Sequence, residues 1–83
     1  TKQKENNMRT LNTIAQEIEN DWQEKVNYAA RPYLEAMHYL EKVDDYFGDD
    51  SGRSVVAYFL SNATGWRGDK AREIKKELNS MIK

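Results

Sequence analysis

Eighty-three residues with 39% hydrophobic and 33% charged side chains make one small domain, near the lower limit at which a chain supplies its own core. There is no cysteine, which excludes a disulfide framework and thiolate metal sites and fits a reducing compartment. Net charge is only −1 but uneven: residues 31–52 carry net −4 and residues 53–83 net +4. Such a split marks either a partner surface or a match between two halves, and closeness within one small domain favours the match.

Residues 1–7 are polar and are expected to form a disordered N-terminal tail ahead of a single helical domain, 8–83. Their basic residues precede no apolar region, so no secretory signal is expected. No stretch approaches the roughly 18 apolar residues of a membrane span. A cytoplasmic protein without membrane contact is the resulting expectation. From Met8, a stripe of Leu11, Ile14, Ala15, Ile18 and Trp22 predicts a first helix that ends near Glu24.

The only proline, Pro32, suits the first turn of a second helix, where its missing N–H has no partner to lose. Tyr33, Ala36, Met37, Leu40, Val43 and Phe47 extend that helix to about Tyr46–Gly48. Tyr39 and Tyr46, seven apart, would sit at one edge of its stripe. Asp50 or Ser51 is placed to N-cap the next segment. There Val55–Leu60, six consecutive apolar or aromatic residues, predicts a third helix buried on every side. A strand is rejected for it, because no second strand candidate is available to pair with it. After the turn Thr64–Gly68, Asp69 opens a fourth helix with an apolar face of Ala71, Ile74, Leu78, Met81 and Ile82. The predicted architecture is all-α, a small four-helix bundle around a buried central third helix.

The segments Asp50-Ser51-Gly52, Val55–Ala63 and Trp66-Arg67-Gly68-Asp69, with Ala71, resemble a family of small uncharacterised proteins. These are carried on prophages, plasmids and conjugative elements of Gram-positive bacteria. The resemblance extends more weakly through Ile14–Trp22 and Tyr33–Leu40. It implies a bacterial cytoplasmic setting and an accessory role, but supplies no activity and no binding residues.

Most chemical motifs have a structural reading that serves better. Arg67-Gly68-Asp69 matches an adhesion tripeptide, yet it straddles a turn and a helix start that need a glycine and a capping acid. Asn62-Ala63-Thr64 matches a glycosylation acceptor but requires secretion. A calcium loop begun at Asp45 would place Phe47, Asp50 and Val56 where two oxygen ligands and a glycine belong. Glu35 and His38 have the spacing of half a di-iron site, but His38 is the only histidine. Ser54 lacks the second glycine of a nucleophile elbow and any base that can be placed beside it. No catalytic residue, metal site or cofactor is therefore predicted, and the protein is read as no enzyme.

Two binding readings remain. Tyr28, Tyr39 and Tyr46 are the candidate contacts for a protein partner, either another protein or a second copy in a homodimer. The alternative is a nucleic-acid-binding regulator that uses Trp66, Arg67, Arg72, Lys75, Lys76 and Lys83, a basic flank of the last helix headed by an aromatic. The surrounding elements resemble a helix-turn-helix only loosely, because the turn is long for that motif. The structural alternative pairs the lysines with Glu41, Asp44 and Asp45, puts Arg67 beside those acids, and folds Trp66 back over the core.

Overall fold

The computed structural model describes residues 9–83; the predicted tail 1–7 and the predicted helix start at Met8 lie outside the described residues. The chain is mostly helical. Four α-helices run as α1 (Leu11–Trp22), α2 (Arg31–Met37), α3 (Gly52–Ser61) and α4 (Asp69–Ile82), and a 3-10 turn, Gln23–Lys25, extends α1. Between α2 and α3 lies a hairpin of β1 (Tyr46–Phe47) and β2 (Asp50–Ser51), so the expectation of a purely helical fold is corrected. No helix among the described residues is long and apolar enough to cross a membrane.

α1 follows its sequence pattern closely. Leu11, Ile14, Ala15, Ile18 and Trp22 are all buried, and Thr10 caps the first turn by accepting from the Thr13 N–H at 3.3 Å. α2 starts at Arg31 with Pro32 in its first turn, as expected, but ends at Met37, about ten residues early. The reason lies in the backbone. The carbonyls of Leu40 and Glu41 accept from the Asn12 and Leu11 N–H groups at 3.0 and 2.9 Å. Those of Val43 and Asp45 accept from Arg53 and Gly52 at 2.9 and 2.7 Å. Residues 40–45 thus satisfy the open N-termini of α1 and α3, and carbonyls so engaged cannot continue a helix of their own. The Asp45 carboxylate holds this loop by accepting from the Glu41 and Lys42 N–H groups, both at 3.1 Å.

The hairpin pairs Tyr46 with Ser51 and Phe47 with Asp50. Gly48, first of the two loop residues, takes φ +65°, a conformation that glycine adopts without steric cost. Ser51 then N-caps α3 by accepting from the Ser54 N–H at 3.1 Å. Gly52 lies against the loop so tightly that a Cβ would stand 2.7 Å from the Lys42 carbonyl oxygen and 2.9 Å from the Val43 Cα.

α3 packs against α2 and α4, and α1 packs against the same two helices. Within α3, Val55, Val56 and Phe59 are buried, while Ala57 and Tyr58 are exposed and Leu60 is half-buried. The expectation of a helix covered all round is therefore corrected. In so short a chain two neighbouring helices cover only one side of it. Arg9 ties α1 to α4 by gripping Glu77 with two nitrogens, at 2.7 and 3.1 Å, and also bonding Glu17. These carboxylates hold the Arg9 pKa above its ordinary value.

Replacing Phe59 by Ala removes the largest wholly buried side chain and should cost about 3–5 kcal/mol, read as a collapsed melting transition. Gly52→Ala should cost about 1–3 kcal/mol, because the clash is with backbone atoms. Gly65→Ala, where an added Cβ meets nothing within 4 Å, should change stability by less than about 0.5 kcal/mol in the same denaturant titration.

Candidate functional site

Two surfaces carry the sequence-predicted residues. The first is built around Trp66, in the turn between α3 and α4. Asn62 closes α3 through its side-chain amide, which donates to the Tyr58 carbonyl at 2.9 Å, and the Trp66 N–H then donates to Ala63 at 3.0 Å. The chain is thereby folded back so that the Trp66 indole stacks on Trp22 of α1, with centroids 5.6 Å apart and planes at 17°. Phe59 meets both indoles edge-on at 6.3 Å. The Trp66 Nε1–H donates to the Asp21 carboxylate at 2.8 Å, so the one polar group of the ring is satisfied. Trp66 is 2% exposed. As a candidate platform for base stacking it is corrected: it folds over the core, and the site it leaves is a rim of cations.

That rim is compact. The Lys75 Nζ donates to the Trp66 carbonyl at 2.7 Å and stands 5.9 Å from the Trp66 ring centroid. Burial, and then the nearby positive charge of Arg67, hold the Lys75 pKa below its ordinary value. Gly68, at φ +110°, turns the chain into α4 as its N-cap residue. Arg72 bonds Asp69 one turn back, at 3.0 Å. Two hollows flank the Trp66-Arg67 step. One, of about 370 Å³, is lined by Asp21, Trp22, Lys25, Asn27, Gly65, Trp66 and Arg67. The other, of about 250 Å³, is lined by Trp66, Arg67, Gly68, Ala71, Arg72 and Lys75.

The structure thus gathers Arg67, Arg72 and Lys75 at the N-terminal end of α4 and adds Lys25, which sequence reasoning missed. Lys25 is 42 positions from Arg67, and the Trp22–Trp66 stack, with the Trp66–Asp21 and Asn27–Asn62 hydrogen bonds, brings the two together. Lys76 lines a separate hollow with Asp69, Arg72 and Glu73. Lys83 follows the last residue of α4, roughly 20 Å along the axis from Asp69. One continuous basic strip is therefore corrected to a cluster with outliers.

The expected pairing of these cations with the 41–50 acids does not form either. Asp44 is reached by Arg53, at 3.6 Å, and Asp45 is taken up by backbone N–H groups. The cation of α4 that crosses to another helix, Lys70, meets Glu17 of α1 at 3.8 Å. Among the described residues Arg67, Lys76 and Lys83 make no ion pair.

The second surface is aromatic. Tyr39, at the exit of α2, is 76% exposed and stacks on Phe47 of β1 with centroids 5.6 Å apart and planes at 26°. Tyr46, 69% exposed, precedes Phe47 on β1, and side chains at successive strand positions leave on opposite faces. Tyr28 is 88% exposed on the α1–α2 connector. Phe47 and Tyr58 were expected inside and are instead partly exposed; Tyr58 lies against Tyr33 at 5.4 Å. The helical period hid Phe47, because it continued the α2 stripe across a hairpin. His38 faces Glu19 of α1 at 3.3 Å, and the Ser51 and Ser54 hydroxyls bond each other at 3.2 Å within the α3 cap.

No protein-family model, curated protein or solved structure matches this chain.

Arg67→Gln should raise the Lys75 pKa toward the ordinary lysine value, because removing a neighbouring cation relieves the charged form. A side-chain NMR titration of Lys75 in the two proteins measures this. An unchanged value would place the Arg67 guanidinium away from Lys75 in solution.

Proposed function

We propose that this chain is a non-enzymatic protein-interaction module whose contact face is the aromatic platform at the exit of α2 and the hairpin. The observation that carries this reading is the Tyr39–Phe47 stack, held open to solvent. Stacking fixes both rings, so little side-chain entropy remains to be lost on contact, and a tyrosine keeps a polar tip for hydrogen bonding. Asp49 and Asp50 add acid to the same hairpin. The partner that suits such a face is a protein presenting basic residues around an apolar anchor.

The non-enzymatic reading is supported by the contacts of the two side chains that a nucleophilic mechanism would call on. Ser54 belongs to the α3 cap, and His38 is turned toward Glu19. The resemblance of the second half to proteins of Gram-positive mobile elements supports an accessory role in a bacterial cytoplasm. A second copy of the chain is one partner of the stated kind, since its α4 carries exposed cations.

The test is selection of displayed random peptides on the immobilised protein, with sedimentation of the free protein over a concentration series. Enriched peptides should be basic with an apolar anchor, and the double variant Tyr39→Ser, Phe47→Ser should weaken them about tenfold or more. Peptides that bind both proteins equally would sink the proposal. In sedimentation, a mass that rises with concentration and reverts in the variant assigns the face to self-association. A constant monomer mass up to about 1 mM assigns it to a different protein.

A further inference from the structure

The cationic rim around Trp66 lies apart from the aromatic face and does not depend on the reading just given. The hollow beside Arg67, Arg72 and Lys75 has three cations in its lining and no acid; Gly68 and Ala71 form its low wall. Arg67 stands close enough to Lys75 to add to the effect of burial in disfavouring the Lys75 charge, and among the described residues no carboxylate pairs with either. Asp21, the acid of the adjoining hollow, is engaged by the Trp66 indole N–H. Of the three Lys75 donors, the Trp66 carbonyl takes one.

We propose that this hollow is a binding site for a phosphate group, with Arg67 as the forked donor, Lys75 as the point charge, and Arg72 at the rim. A guanidinium matches two phosphate oxygens at once, and a lysine neutralises without directional demand. A bound phosphate would offset the positive charge that Arg67 places beside Lys75. Its volume of about 250 Å³ lies below the roughly 300–1,000 Å³ of pockets that enclose a whole small molecule. It therefore admits the phosphate and leaves the rest of the ligand outside. Across the Trp66-Arg67 step, Lys25 offers a second positive charge in the neighbouring hollow. Ligands with two linked phosphates should thus outbind single phosphate. Buried Trp66 presents no face to a base, so a nucleic acid would be held through its backbone with little sequence preference.

The phosphate has two sources, a small phosphorylated compound or a nucleic-acid backbone, and two probes separate them. Amide and Lys75 side-chain NMR signals are followed on adding inorganic pyrophosphate, and anisotropy of a fluorescent oligothymidylate is followed at low salt. The expected result is saturable pyrophosphate shifts confined to residues 66–75 and Lys25. Arg67→Gln should weaken binding about tenfold, with Lys83→Gln unchanged. Arg67 is exposed, so this variant is expected to fold, and a melting curve checks it. Oligothymidylate binding whose salt slope drops by about one in Arg67→Gln names the backbone as source. Pyrophosphate binding alone names the small compound. Binding of neither probe, or equal losses in Arg67→Gln and Lys83→Gln, would overturn the proposal.

Discussion

Six backbone positions, Leu40 to Asp45, constrain the rest of this molecule. A helix begins with N–H groups that have no partner within it, and burying them unpaired is costly. Here two helices, α1 and α3, start against the same loop, and its carbonyls accept from Leu11, Asn12, Gly52 and Arg53. Three consequences follow from that arrangement. α2 must end early, the backbone of α3 must approach closely enough to require glycine at position 52, and the chain between them closes as a short hairpin. The hairpin in turn lifts Phe47 out of the core and lays it on Tyr39.

The second organising contact is aromatic. Trp22, Phe59 and Trp66 come from α1, α3 and the turn before α4, so one cluster joins three parts of the chain. Each such ring pair adds about 0.5–1.5 kcal/mol beyond the area it buries. The same cluster fixes the backbone at Trp66, and the fixed carbonyl anchors Lys75. A core contact thus positions surface chemistry: the cations gather around an indole that is buried, stacked and hydrogen-bonded beneath them.

Electrostatics divides the surface along similar lines. The ion pairs that bridge helices, Arg9 with Glu17 and Glu77 and Lys70 with Glu17, run between α1 and α4. They leave the acids of the hairpin and the cations near Trp66 directed outward. Between the acidic and basic halves only the exposed pair Arg53–Asp44, at 3.6 Å, forms among the described residues. The opposite charges of the two halves form two faces of different sign, one beside exposed aromatic rings and one around small hollows.

Much of this was legible in the residues alone. The α1 stripe, Pro32 at the start of α2, a cap on α3 at Asp50 or Ser51 and the burial of Ile74 and Leu78 in α4 all follow from helical period and capping chemistry, which act over a few neighbouring residues; the structure takes Ser51 for the cap. Arg67, Arg72 and Lys75 were also visible as a basic flank. The early end of α2 was not, because its cause is hydrogen bonds to Leu11 and Arg53, far away in sequence. Nor was the exposure of Phe47 and Tyr58, since an apolar run shows which side chains prefer burial but not how many neighbours exist to bury them. Lys25 joined the rim through tertiary contacts, the stacking of Trp22 on Trp66 and the Trp66–Asp21 hydrogen bond. Local periodicity and caps determined the helices; the tertiary structure decided which backbone groups were still free, which rings were covered, and which charges met.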